Sequence, residues 1–177
     1  QEGDEDIGYL MDVALEELKR AANIVHRMRD ISRPERGEKK LQNVSEVVDT
    51  VVTLTRKQAQ NHKVEVIWDG GEGVPSVPMV RDRIQQVFLN LVLNAIDAMP
   101  DGGALHIKMG RTEKRPGVKV SFADTGVGIA PEDSERLFEA FHSNKDQGLG
   151  LGLYVSGSIV QEHGGRSDVE SEVGEGT

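Results

Sequence analysis

Glycine clusters in a fixed order constrain this chain more than any other feature. Asp124-Thr-Gly-Val-Gly-Ile129 sets two glycines just after an aspartate, and Gly148-Leu-Gly-Leu-Gly-Leu153 runs straight into the apolar stretch Leu153 to Val160. Glycine tolerates positive φ and lets a ring or a phosphate come close to the backbone. A carboxylate on such a turn suits a purine amino group. A glycine ladder that opens a helix leaves N–H groups free for phosphate oxygens. Asp124, Gly126 and Gly128, followed by Gly148, Gly150 and Gly152, therefore outline a pocket for a nucleoside triphosphate.

Upstream, Gln85 to Ala98 reads as a strong amphipathic helix carrying Asn90, Asn94 and Asp97 at spacings of four and three, hence on one face. Val87, Leu91, Leu93 and Ile96 claim most of the rest of the circumference around Asn94. A partly buried amide needs a partner. Mg²⁺ is a hard, oxygen-seeking ion that takes few protein ligands besides phosphate oxygens, and a side-chain amide oxygen suits it.

With these parts in place, the chain resembles the ATP-binding catalytic domain of sensor histidine kinases, in the superfamily that also holds gyrase, heat-shock chaperone and mismatch-repair ATPases. NLVLNAIDA is similar to the N box, DTGVGI to the G1 box, FEAF to the F box, GLGLGL to the G2 box and the terminal GEGT to the G3 box. The resemblance implies an α+β fold, a two-layer sandwich with a mixed sheet of the Bergerat type. It implies Asn94 as the Mg²⁺ ligand, Asn90 beside the phosphates, Asp124 as the reader of the adenine amino group and Thr177 joining that contact. Asp97, Gly126, Gly128, Gly148, Leu149, Gly150, Leu151 and Gly152 are the further implied nucleotide positions. His142-Ser143-Asn144-Lys145 resembles the Thr-Thr-Lys stretch of the nitrogen-regulation subgroup, where the lysine reaches phosphate; a solvated loop charge is the plainer reading of Lys145. Catalytic roles thus fall to Asn90, Asn94 and Lys145. Phe138 and Phe141 read as packing residues, and His163 as a helix-end residue.

The first stretch differs from the rest. Met11, Leu15, Leu18, Ala22, Val25 and Met28 recur at spacings of three and four between Tyr9 and about Ile31, an amphipathic helix that needs a partner helix, stopped by Pro34 and Gly37. In the family such a helix is the second of a dimerisation hairpin. Residues 1–36 are therefore expected to be that helix and its linker, and 37–177 the ATP-binding domain, cut short within its G3 motif, where family members continue into a further strand. His26-Arg27-Met28-Arg29-Asp30 superficially echoes the phosphoacceptor box. Arg27 stands where that box carries an acidic general base, a role arginine does not fill at neutral pH, so the phosphoacceptor is expected on the absent first helix.

Between these landmarks, Leu41 to Val44 reads as a short strand and Ser45 as the start of a helix toward Asn61. Lys63 to Trp68 alternates as a strand, with Val64, Val66 and Trp68 facing one way. Gly70 to Pro78 reads as loop. Leu105 to Arg111 and Val118 to Ala123 read as a hairpin-like pair, and Arg166 to Ser171 as one more strand.

Composition narrows the function classes. The 177 residues, 37% hydrophobic and 29% charged, suffice for one good core plus an appendage. A formal charge of −9 argues against nucleic acid and direct contact with anionic membranes. With no cysteine there is no thiol catalysis, disulfide or cysteine-ligated zinc. No run approaches membrane-spanning length, and a cytoplasmic location is the simplest expectation for this part, whether or not the parent chain carries a membrane anchor.

The expected activity is that of an ATP:protein-histidine phosphotransferase lacking its phosphoacceptor, with a response regulator receiver domain and a second copy, bound through the missing hairpin, as partners. Two other functions compete. An ATP-hydrolysing clamp of the same superfamily carries a general-base glutamate where this chain has Asn90. A non-catalytic dimerisation module with a degenerate nucleotide sensor would bind ATP poorly even with Mg²⁺.

Overall fold

The computed structural model describes residues 37–71, 73–112, 117–134, 136–139 and 150–177. The chain divides into two units, residues 1–36 and 37–177. The expected dimerisation helix, with His26, lies outside the described residues, as do Phe141, Lys145, Gly148 and Leu149.

Strand β1 (Lys40–Gln42) leads into helix α1 (Val44–Asn61), then β2 (Val64–Trp68), β3 (Val77–Met79), helix α2 (Arg81–Asp97), β4 (Gly103–Arg111) and β5 (Val118–Asp124). A four-residue turn of helix, α3 (Pro131–Ser134), precedes helix α4 (Gly152–Glu162). Helix α1 starts one residue before the expected Ser45, because Asn43 is the cap: its Oδ1 accepts from the Ser45 N–H at 3.0 Å.

Strands β2, β4 and β5 form one mixed sheet in that order, β2–β4 parallel and β4–β5 antiparallel. Its register lines up Val66 with Leu105, Trp68 with Ile107, Ile107 with Phe122 and Met109 with Val120. With a side-chain period of two, these residues share one face. That face packs against α1 and α2, where Val47, Val48, Val51, Val92 and Ile96 are all but fully buried, and Phe88 meets Phe122 edge-on-tilted at 5.3 Å between ring centres. The opposite face carries Glu65, Ile67, His106, Lys108, Lys119 and Ser121. The result is the two-layer α/β sandwich read from the sequence.

Three expectations need correction. Val77 to Met79 is strand rather than loop, pairing antiparallel with β1 in a separate two-stranded ribbon where Pro78 is tolerated because, among the described residues, each strand has only one neighbour. Helix α2 begins at Arg81, well before Gln85, and ends at Asp97. Arg166 to Ser171 is not a strand: among the described residues no ladder partner runs beside it, and only a single bridge, Glu172 to Gly176, forms in this region.

The facing of the sheet sets the cost of truncation. Leu105→Ala removes a side chain with no exposure and should lower the unfolding free energy by about 2–5 kcal/mol, whereas Ile67→Ala, on the wet face and 40% exposed, should cost under about 1 kcal/mol. Urea denaturation followed by circular dichroism measures both.

Candidate functional site

Strand β5 decides where the aspartate points. Val118, Val120 and Phe122 face the helices, and the alternation carries Asp124 onto the same face at the strand's end, opposite Leu105. A carboxylate thereby enters the half-buried corner between sheet and α2. Burial pushes its pKa above the ordinary carboxylate value, and the backbone N–H groups of Gly126, Thr177 and Asp124 itself pull in the other direction without cancelling it. The Gly126 N–H donates to Oδ1 at 2.9 Å.

The turn that follows is anchored from two sides. Val127 donates its N–H to Ala98 O at the end of α2, and Gly174 donates to Val127 O. Gly128 takes φ of +69°, as the sequence suggested, whereas Gly126 stays outside the left-handed region. The terminal segment then closes the corner: the Asp124 N–H donates to Thr177 O at 2.9 Å, and Ser171 Oγ receives the Ile129 N–H at 2.8 Å while bonding Gly176 O and Thr177 Oγ1 at 2.8 Å each. At Gly176, φ is +109° and any Cβ would drive into the Asp124 carbonyl oxygen, so no other residue fits there without displacing β5.

The stripe on α2 comes next. Asn90 donates through Nδ2 to Ser156 Oγ at 3.1 Å, and a Cβ at Gly152 would collide with the Asn90 amide. The absence of a side chain at Gly152 thus leaves room for the Asn90 amide against the first turn of α4. Asn94, one turn on, is half-buried and has no side-chain hydrogen bond among the described residues. Asp97 lies exposed at the helix end, toward the Asp124 corner.

Of the predicted positions, Asn90, Asn94, Asp124, Gly126, Gly128, Gly150, Gly152 and Thr177 fall along this one line of elements: the end of β5, the G3 corner, the α2 stripe and the start of α4. Leu151 does so only through its backbone, because its side chain is 1% exposed and belongs to the interior. Phe138 packs on α4 beside Gly157, as expected of a packing residue. Sequence reasoning missed Ser156, Ser171 and Gly176; the last was visible within the GEGT motif, while two serines in ordinary surroundings carry no signal.

Two sides of opposite character lie along this line of elements. An open groove of about 420 Å³ is lined by Ala123, Asp124, Ser171, Gly176 and Thr177 together with Glu170, Glu172 and Glu175. Three exposed glutamates make that side unfavourable to a polyanion. The side formed by Asn90, Asn94 and the N-terminal turn of α4 carries amides and free helix N–H groups instead, the chemistry phosphate oxygens need. Among the described residues no group of three His, Cys, Asp or Glu is placed to hold a metal ion. The unpartnered Asn94 oxygen fits a cation whose other ligands are phosphate oxygens and water.

The family described as histidine kinase-, DNA gyrase B- and HSP90-like ATPase matches residues 79–177, more than half of the chain. The chain belongs to this family. Among curated relatives of the chain, sporulation kinase E of Bacillus subtilis is 32% identical over 97% of the chain and 23% of the relative, and the sensor histidine kinase ZraS of Escherichia coli is 29% identical over 95% of the chain and 36% of the relative. The chain therefore spans about a quarter to a third of the curated relatives it matches. The catalytic domain of the histidine kinase ThkA superposes with a TM-score of 0.64 at 30% identity, over 72% of this chain and 82% of that one. ThkA in complex with the response regulator TrrA superposes with a TM-score of 0.70 at 26% identity, over 87% of this chain and 44% of that one.

Asp124 gives the ATPase domain a pH signature. Its carboxyl is raised in the fold, so its contribution favours folding at acid pH and is lost as pH rises through the folded-state value. The neutral isostere in Asp124→Asn should therefore be at least as stable as wild type at neutral pH, with that margin shrinking on acidification. Urea titrations at a series of pH values test this; a margin that grows toward acid would contradict it.

Proposed function

We propose that the chain is the ATP-binding catalytic part of a sensor histidine kinase, and that it delivers the ATP γ-phosphoryl group to a histidine outside residues 1–177. The observation that carries this reading is one helix, α2, whose polar stripe joins a half-buried carboxylate at one end to the N-terminus of α4 at the other. Adenine's amino group meets Asp124, with Thr177 beside it. The triphosphate runs along Asn94 and Asn90 toward the N–H groups of Gly150, Leu151 and Gly152, and Gly126 and Gly128 let the base lie close. Gly148, Leu149 and Lys145 complete the phosphate side in this reading, and Asp97 lines the adenine side.

Phosphoryl transfer demands positioning and charge neutralisation more than covalent help. A bound Mg²⁺ would supply neutralisation of the phosphate charge. Asn94 is the residue that would hold it. Asn90, already oriented by Ser156, fixes the phosphate next to the helix, and the buried surroundings strengthen each of these contacts. Asn90 also weighs against the clamp ATPases, since an amide cannot take the proton from an attacking water.

Residues 1–36 serve in this reading as the second helix of a dimerisation hairpin and its linker, through which two copies pair. A response regulator receiver domain takes the phosphoryl group from the histidine; the ThkA complex with TrrA supports a partner of that kind. The nitrogen-regulation-like subgroup is the closest fit for the loop around Lys145. Among the described residues no helix is long and apolar enough to cross a membrane, which agrees with cytoplasmic work for this part.

Two experiments test the reading. Asn94→Ala should remove most of the Mg²⁺-dependent gain in ATP affinity while leaving metal-free adenosine binding near wild type; calorimetry showing equal Mg²⁺ dependence in both proteins rejects the ligand role. Incubated with radiolabelled ATP and Mg²⁺, the chain should bind nucleotide without labelling itself, and should label a separate hairpin fragment bearing the phosphoacceptor slowly, for want of a tether. Acid-labile label on His26 would place the acceptor inside this sequence.

A further inference from the structure

Helices α2 and α4 are tied at three places along their length. Gly152 packs on the Asn90 amide at the start of α4, and Ser156 accepts from Asn90 at its middle. The third tie is His163, the cap at the helix's far end. Its Nδ1 lies 2.7 Å from Ile159 O, and its Nε2 accepts the Val80 N–H at 3.0 Å. A carbonyl oxygen can only accept and a backbone N–H can only donate. The two partners therefore fix a neutral ring with its proton on Nδ1.

A bond to its own helix is enough for a helix stop. The second bond leaves the helix and reaches Val80, the N-cap of α2, which has no side-chain cap of its own. His163 thus does from 83 residues away what a local capping residue does elsewhere. The segment before β1 seals the same junction: a Cβ at Gly37 would press on Val80 Cγ1 at 2.7 Å, and Lys39 Nζ donates to Glu162 O. From Gly152 to His163 α4 is about 16 Å long, so His163 is out of reach of any phosphate at the other end and acts through the helix.

We propose that His163 is a positioning residue of the nucleotide site: by accepting the Val80 N–H it fixes the register of α4 along α2, so that the N–H groups of Gly150, Leu151 and Gly152 and the Asn90 and Asn94 amides face the same phosphates. The inference rests on the triphosphate reading of the site. Adenine contacts at Asp124 do not depend on α4. Losing the tie should therefore weaken the phosphate end and spare the base end.

Three variants of the chain separate this role from plain stability. Gln in His163→Gln carries an amide oxygen at the reach of Nε2. Asn in His163→Asn keeps a donor near Ile159 O and falls short of Val80. His163→Ala removes both. Calorimetry with Mg²⁺-ATP and with adenosine should show H163N and H163A roughly three- to tenfold weaker for ATP, the equivalent of one net hydrogen bond, with adenosine unchanged and H163Q within about twofold of wild type for both. The proposal is overturned if H163N matches wild type for ATP, if adenosine weakens in step with ATP, or if H163Q is as impaired as H163N. A wild-type chain that binds adenosine and ATP equally overturns the triphosphate reading itself, and is told apart by failing before any variant is compared.

Discussion

Everything about the site depends on the parity of strand β5. Side chains alternate between faces, so once Val118, Val120 and Phe122 are committed to the core, Asp124 is committed with them. A shift of one residue would send the carboxylate to solvent and expose three hydrophobic side chains, each worth roughly 1.5–3 kcal/mol when buried. Hydrophobic packing thus aims a polar group inward, at a place where burial works against its ionisation and three backbone donors sustain it. The site takes its most specific contact from a core that has no other interest in polarity.

Helix α2 carries the complementary constraint. Val87, Val92, Ala95 and Ile96 hold it in the sandwich, and the remaining strip of circumference is left to Asn90, Asn94 and Asp97. Because the apolar residues fix its rotation, the amides cannot turn away from α4. The first turn of α2 also buries Arg83, whose Nη1 bonds Gln86 and whose Nε has no partner among the described residues. A buried cation at the positive end of a helix is an electrostatic burden. Among the described residues no carboxylate pairs with it.

What the sequence made legible was local and periodic. The alternation in β2 and β5, the apolar stripe of α2 and the glycine turn after Asp124 can each be read within about a dozen residues, and each reappears in the fold. Long-range substitutes for local signals were not legible. The start of α2 was placed too late because Val80 and Arg81 carry no capping signature, and the acceptor at that end belongs to His163. Strand β3 is hidden by Pro78, acceptable because β1 is its sole neighbour among the described residues. Arg166 to Ser171 has the residues of a strand, but residue type does not supply a ladder partner. Ser156 and Ser171 were invisible because a hydroxyl gains its meaning from what stands opposite.

The acidic groove beside Asp124 bears on kinetics more than on affinity. Glu170, Glu172 and Glu175 crowd one rim of the corner, on a chain whose formal charge is already −9. A polyanion diffusing toward the corner is repelled from that flank and funnelled to the side where α4 begins. The repulsion reaches only about 8 Å at physiological ionic strength. Added salt should then speed capture of a free polyphosphate, the reverse of the behaviour of a basic cleft, and chelating the ligand's charge with a divalent cation before the encounter should do the same. Acidic side chains with no ion pair among the described residues thereby bias the direction from which a polyanion approaches this corner.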